Sequence, residues 1–347
     1  MIQITSELFA VAASGEKVVR YTMTNARGTS VFVLDYGCII QKIMVKDRDG
    51  VERDVVLGFD KLLDYENSCF FFGALIGRYA NRIKNASFEL NGISYQLEKN
   101  FGNHHIHGIL SFQVFEGIIE DDCVCFKKFC PSEEEGYPGN LHLEVRYRLT
   151  EDDALEIDYR AVSDEDTVLN LTNHTYFNLN GQDGSTVMSH RVFLDADQMT
   201  EIDSTAMMTG KIRSVENTPM DFRKAKPIGR DIRSDYDQLR YCSGYDFNYI
   251  LKGRCGTLRK IASVESDVSG IVLDVYTTEA AVQFYTGNFI HQNTIGKNGV
   301  SYPTYGGVCF ETQRSPCAPN YPQFPSAVLR KGETYLHRTI YKFLVKD

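Results

Sequence analysis

Leu141-His142-Leu143-Glu144-Val145-Arg146-Tyr147-Arg148-Leu149-Thr150 runs through Glu151-Asp152-Asp153 into Ala154-Leu155-Glu156-Ile157-Asp158-Tyr159-Arg160, and this stretch decides the fold class. Leu141, Leu143, Val145, Tyr147 and Leu149 alternate with polar partners. After the acidic turn the alternation resumes as Leu155, Ile157 and Tyr159. A period of two over both arms predicts a hairpin with one dry and one wet face. Working outward, Asn91-Gly92 predicts a second hairpin, because both residues tolerate the positive φ of a tight turn. Further strand-like runs are Val31–Leu34, Cys38–Val45, Ile271–Thr277, Ala280–Tyr285, Val308–Glu311 and Thr334–Val345. Helical periodicity is confined to Phe59–Tyr65 and Asp235–Tyr241. Strands without intervening helices predict an all-β protein, a large antiparallel β-sandwich with few short helices. No Gly/Ser/Pro-rich linker and no fixed-period repeat divides the chain, so residues 1–347 are expected to form a single domain.

The composition narrows the function. The 347 residues are 43% hydrophobic and 24% charged, with 21 Phe, 20 Tyr and no Trp, which excludes disordered and fibrous classes. Lys and Arg number 37 against 46 Asp and Glu, a formal charge of −9 with no basic run, so no nucleic-acid partner is expected. No apolar stretch approaches a membrane span, and Met1–Glu7 lacks the layout of a signal peptide. The nine Cys follow no disulfide framework. The expectation is a cytoplasmic protein, monomer or homodimer, with no membrane partner.

Four polar clusters interrupt the strand pattern. Gly77-Arg78-Tyr79-Ala80-Asn81-Arg82-Ile83 reads either as a solvated turn or as Asn and Arg donors aimed at a polyhydroxyl ligand. His104-His105-Ile106-His107-Gly108 invites a metal reading, with His105 and His107 on one face of a strand, yet no nearby Cys or carboxylate completes a familiar ligand spacing. Cys123, Cys125 and Cys130 read as small side chains buried along a strand. Asn170–Gly181, centred on Asn173-His174-Thr175-Tyr176, is too polar for an ordinary core strand. Glu311 follows the apolar run Gly307-Val308-Cys309-Phe310. Burial there would raise its carboxyl pKa and make it the stronger base once ionised, the alternative being an exposed strand-end Glu.

Several of these motifs, in order along nearly the whole chain, resemble the aldose 1-epimerase (mutarotase) family. They are Leu57-Gly58-Phe59-Asp60, Ile76–Ile83, Ile106-His107-Gly108, Gly136-Tyr137-Pro138-Gly139, Asn173–Leu179, Tyr245–Asn248, Val282–Asn288, Glu311-Thr312-Gln313, Asn320–Ser326 and Gly332-Glu333-Thr334-Tyr335. The resemblance implies a β-sandwich with an open sugar cleft. It also implies the interconversion of the α and β forms of a free hexose such as galactose or glucose, with no metal and no cofactor. A base takes the O1 proton while an acid protonates the ring oxygen O5. After rotation about C1–C2 the ring closes on the other face and the two groups exchange roles. By resemblance Glu311 is the base, His174 the acid, and His107 the second histidine that orients the sugar. Asn81, Arg82, Asp246 and Gln283 match positions that hydrogen-bond the ring hydroxyls. Three departures stand out: Phe115 near a usual Trp, Phe247 for a common His, and Cys317 for an Asp. They put the sugar preference and one cleft wall in question. A hexose 6-phosphate epimerase would need an added basic cluster, for which Arg314 is the one candidate. A non-catalytic sugar binder on the same fold is the other alternative.

Overall fold

The computed structural model describes residues 1–291 and 294–346. The deciding stretch forms strands Leu141–Leu149 and Ala154–Ser163, antiparallel, with Leu149 opposite Leu155 and Arg146 opposite Asp158. As the alternation requires, Leu141, Leu143, Val145, Tyr147 and Leu149 are buried and the residues between them face outward. The Asn91-Gly92 turn joins Ser87–Leu90 to Ile93–Gln96, with φ of 54° and 78° at its two central residues.

The first hairpin lies within a nine-stranded antiparallel sheet. In spatial order its strands are Glu116–Glu120, Cys123–Cys130, Leu141–Leu149, Ala154–Ser163, Thr334–Val345, Ile271–Thr277, Arg259–Glu265, Arg191–Leu194 and Lys226–Pro227. Thr334–Val345 thus sits mid-sheet, Tyr159 opposite His337 on one side and Val275 opposite Tyr341 on the other. Its alternate residues Tyr335, His337, Thr339, Tyr341 and Phe343 point inward.

Two five-stranded sheets supply the rest of the sandwich. One runs from Gln3–Val11 through Lys17–Thr24, Ser30–Leu34 and Ile40–Lys46 to Glu52–Asp54. The other is ordered Met208–Ser214, Ala196–Ile202, Asp246–Leu251, Ala281–Tyr285, Cys309–Gln313. Val33 and Ile43 of the first, Phe284 and Phe310 of the second, and Tyr147 and Tyr341 of the large sheet belong to one buried cluster. Tyr147 Oη donates to the Cys38 carbonyl at 2.8 Å and Tyr341 Oη to the Phe310 carbonyl at 3.2 Å, so the phenols bridging the layers are satisfied where they are buried.

The expected strands form, with ends shifted by a residue or two. Val308–Glu311 becomes Cys309–Gln313, which leaves Glu311 in mid-strand. The α-helices are Leu62–Glu66 and Asp237–Cys242, close to the two expected turns. Among the described residues no helix is long and apolar enough to cross a membrane.

Candidate active site

The second five-stranded sheet presents two unlike faces. Asp246 lies opposite Tyr285, which lies opposite Cys309; one row along, Asn248, Gln283 and Glu311 line up in the same way. Residues directly opposite, and those two apart along a strand, share a face. Asp246, Gln283, Tyr285, Cys309 and Glu311 therefore project from one face. Phe247, Tyr249, Phe284 and Phe310 project from the other, into the core. Both faces are buried, and the polar face is covered by the loops that carry the remaining site residues.

His174 arrives on the strand Thr172–Asn173, which pairs with Leu75–Ile76. Its backbone is held on both sides: His174 N–H donates to the Ala74 carbonyl at 2.9 Å, and Gly73 N–H donates to the His174 carbonyl at 3.0 Å. The Asn173 carboxamide braces the same turn, donating to the Gly73 carbonyl at 2.8 Å and accepting from Thr175 N–H at 3.1 Å. The polarity of Asn170–Gly181 therefore goes largely into fixing loop geometry.

Arg82–Ile83 pairs with His105–Ile106 and delivers the third histidine. His107 breaks from the strand with φ of +62°, and its partner Asn81 has φ of +64°. The two clamp each other: His107 N–H donates to the Asn81 carbonyl at 3.1 Å, and Asn81 N–H donates to His107 Nδ1 at 3.1 Å. Since Nδ1 accepts, the neutral ring carries its proton on Nε2. Gly108 is needed for its φ of +76° and because a Cβ there would lie 2.4 Å from the Gly77 carbonyl oxygen.

These elements enclose a cavity of about 460 Å³ lined by Asn81, Arg82, His107, His174, Asp246 and Glu311 together with aromatic side chains. His174 Nε2 stands 3.7 Å from Glu311 Oε1, and both side chains are almost wholly buried. Among the described residues Glu311 Oε2 has no hydrogen-bond partner. Cys309 Sγ lies 3.7 Å from His174 Nδ1, Tyr176 stacks on the His174 ring at 5.0 Å, and the His107 ring meets it edge-on at 5.5 Å. Arg82 donates to Asp246 Oδ2 at 3.4 Å, and Gln283 Nε2 donates to Asp246 Oδ1 at 2.6 Å. Gln283 does not line the cavity; it stands behind Asp246 and orients it.

Burial sets the proton affinities. Desolvation pushes the Glu311 carboxyl well above its ordinary range, reinforced by the Asp246 charge and opposed by Arg82. Desolvation drives His174 down to about 4. It also holds His107 well below its ordinary value, with His174 and Arg82 acting in the same direction. Glu311 and His174 together therefore hold one proton over a wide pH range, and that proton belongs to the pair.

Several expectations need correction. The cluster Gly77–Ile83 is no solvated turn: Arg78 and Tyr79 are fully buried, and Arg78 donates to the Pro138 and Gly139 carbonyls and to Thr167 Oγ1. His105 and His107 do not share a face, because the positive φ at His107 ends the strand. His104 Nδ1 accepts from Asn85 N–H, His105 turns to the Glu98 carbonyl, and His107 enters the cavity. Phe115, Phe247 and Cys317 are all buried away from the cavity lining, so none of them shapes the cleft wall by contact. Arg314 is also elsewhere, paired through Nε with Glu279 Oε2 at 3.2 Å.

Composition and motif reading missed the aromatic mouth. Phe70, Phe71, Phe101 and Phe289 line the cavity with Tyr176 and Tyr285. Phe71 has φ of +55°, places its ring 4.9 Å from His107, and Phe101 lies under the Arg82 guanidinium at 5.5 Å. The consecutive Phe70-Phe71-Phe72 was the available signal, since three aromatics in a row cannot all face one core.

The model of the aldose 1-epimerase family matches residues 19–342. Galactose mutarotase of Homo sapiens is 39% identical over 348 residues, covering 99% of this chain and all of that protein. Aldose 1-epimerase of Escherichia coli is 34% identical, covering 98% of this chain and 99% of that one. The chain belongs to the aldose 1-epimerase family. The epimerase fold is equally plain in solved structures. A galactose 1-epimerase from Lactobacillus acidophilus superposes with a TM-score of 0.87 at 28% identity, complete coverage on both sides. An aldose epimerase homologue from C. elegans gives 0.85 at 30% identity, over 93% of this chain and 98% of that one.

Proposed function

We propose that this epimerase interconverts the α and β anomers of free hexoses of the galactose and glucose type, with Glu311 and His174 moving the protons. The observation that carries the reading is the buried contact of 3.7 Å between His174 Nε2 and Glu311 Oε1 beside an unpartnered carboxylate oxygen. O1 and O5 of a pyranose are bonded to the same carbon. A base for one and an acid for the other must therefore converge on a small region, as these two side chains do. Glu311 takes the O1 proton as His174 protonates O5, the C1–O5 bond breaks, and the aldehyde forms. Rotation about C1–C2 exposes the other face, and the same protons return in reverse.

His107 donates from Nε2 and orients the sugar. Asp246 accepts from ring hydroxyls while held by Gln283, and Arg82 and Asn81 supply donors. The aromatic mouth offers apolar surface to the C–H faces of the ring. No cofactor enters these steps. A free hexose is favoured over its 6-phosphate because, among the described residues, Arg82 is the one lysine or arginine lining the cavity and is already paired with Asp246, while Arg314 is turned to Glu279. We take the chain as one folding unit, in line with the buried cluster common to its three large sheets. A cytosolic monomer or homodimer without a nucleic-acid partner is in keeping with nine free cysteines and a charge of −9.

Polarimetry of freshly dissolved α-galactose tests the reading. The wild-type chain accelerates the decay of rotation, and Glu311→Gln loses on the order of 10²–10⁴-fold in kcat. No acceleration by the wild type at micromolar enzyme would sink it, and faster turnover of glucose 6-phosphate than of glucose would replace it.

A further inference from the structure

His105 has no part in the proton transfers above, yet its ring is fully buried beneath the loop that carries His107. Its Nδ1 lies 2.8 Å from the Glu98 carbonyl oxygen, which can only accept, so the proton of the neutral ring is on Nδ1 and Nε2 is left as an acceptor. Among the described residues Nε2 has no hydrogen-bond partner. Neither has Glu135 Oε1, which faces it at 4.0 Å with its side chain 3% exposed. Two buried, unpartnered polar atoms turned toward each other are costly unless something joins them.

The other Glu135 oxygen shows what the pair supports. A Cβ on Gly108 would come within 2.9 Å of Glu135 Oε2, and the Ile109 backbone amide acts on the same carboxyl, lowering its proton affinity. The loop 106–109 is thus held from two sides. On one side Asn100 grips Ile106, accepting from its N–H at 2.7 Å and donating to its carbonyl at 2.8 Å, while Asn81 clamps His107. On the other stands Glu135, backed by His105.

We propose that His105 and Glu135 are positioning residues for His107, joined by a proton on Glu135 Oε1 that donates to His105 Nε2 and so fixes the loop 106–109. The inference rests on the sugar-orienting role given to His107 above. The two side chains need to approach by about 1 Å for the gap to reach hydrogen-bond length. Ionised, Glu135 would turn a negative charge on a lone pair and lose that anchor. The surroundings favour the protonated form. Burial raises the Glu135 carboxyl to about 7, its Ile109 contact opposes this, the Glu134 and Glu98 carboxylates add to it, and Arg78 again opposes it. Burial keeps His105 below its ordinary value, so the ring stays neutral and accepting. The Tyr137 ring meets His105 edge-on at 5.6 Å, with Arg78 over its far side at 5.4 Å. Two further titratable neighbours are also kept neutral by burial: Cys130, whose thiol is raised to about 11, and His107, held well below its ordinary value.

The test is the pH dependence of galactose mutarotation between about pH 6 and 9 in the wild type, Glu135→Gln and His105→Leu, with carboxyl-carbon NMR of Glu135 in the wild type. In the wild type, kcat/KM should fall by about tenfold in a step centred near the Glu135 midpoint, as His107 loses its placement. Glu135→Gln donates an amide N–H to Nε2 at every pH and should abolish the step. His105→Leu, which removes the acceptor, should lower kcat/KM throughout and abolish the step. A step that survives in Glu135→Gln overturns the proposal. So does a Glu135 carboxyl that titrates near 4.5 with His105 protonated on Nε2, an NMR result that holds whether or not the chain epimerises galactose and whether or not the variants fold.

Discussion

The acid limb of the activity profile follows from the Glu311–His174 pair. With two protons the pair has no base, and with none it has no acid, so activity requires one proton. As pH falls, the second proton enters at the lower of the two macroscopic values of the pair, which burial of His174 places at about 4. At pH 5 the one-proton fraction is then about 0.9 of its plateau, whereas an unperturbed histidine at about 6.5 would leave about 0.03. The roughly thirtyfold difference is readily measured. Polarimetry with α-galactose should be run at subsaturating sugar from about pH 4.5 to 7, subtracting spontaneous mutarotation at each pH so that kcat/KM of the free enzyme is obtained. The reasoning is refuted by an acid limb centred near 6.5, which would mean that His174 is solvated in the resting enzyme or that another group supplies the base. The alkaline limb is displaced upward from the ordinary carboxylate range, because the last proton of the pair leaves a carboxyl that burial pushes up.

Three further outcomes are expected. Phe247→His should cost about 2–4 kcal/mol in urea unfolding, because it places a ring nitrogen among Tyr249, Phe284 and Phe310, while leaving the ratio of galactose to glucose kcat/KM unchanged. Gln283→Ala removes the 2.6 Å hydrogen bond that orients Asp246 and should raise KM for galactose about tenfold with a smaller effect on kcat. His190 accepts from Leu179 N–H at 3.0 Å and is held at about 4 by burial, below its unfolded value. The unfolded chain therefore takes up the proton first as pH falls below about 6.5, and stability is lost toward pH 4. His190→Asn should remove about 2 kcal/mol of the decline in unfolding free energy between about pH 7.5 and 5.

Whether a segment could be read from sequence depended on whether it has one wet face. Leu141–Leu149 and Ala154–Ser163 alternate because one side meets water. Ala281–Tyr285 and Cys309–Gln313 are buried on both sides, one face apolar and the other polar under the cleft loops. Their strand character survives in the apolar run, but neither the end at Gln313 nor the facing of Glu311 follows from it. Asn81, Arg82, His107, His174 and Glu311 stand in polar clusters that interrupt the strand pattern. Their roles, and the choice of Asp246 and Gln283, come from family motifs, and the structure brings His107, His174, Asp246 and Glu311 around one cavity. The His105–Glu135 pair was out of reach, since it depends on a positive φ at His107 and on a contact between loops. Phe71 is legible only as one of three consecutive Phe; the positive φ that brings its ring to His107 has no local signature.

Thr334–Val345 is the last described strand to be synthesised, yet it lies in the middle of the nine-stranded sheet between Ala154–Ser163 and Ile271–Thr277. From there Tyr341 supports the carbonyl of Phe310, the residue before Glu311. A nascent chain that lacks it has two half-sheets with open inner edges and a base strand missing part of its footing. The fold thereby acts as a completeness check on synthesis: a truncated product would expose pairing edges to aggregation or quality control before it could present a working carboxylate to a sugar.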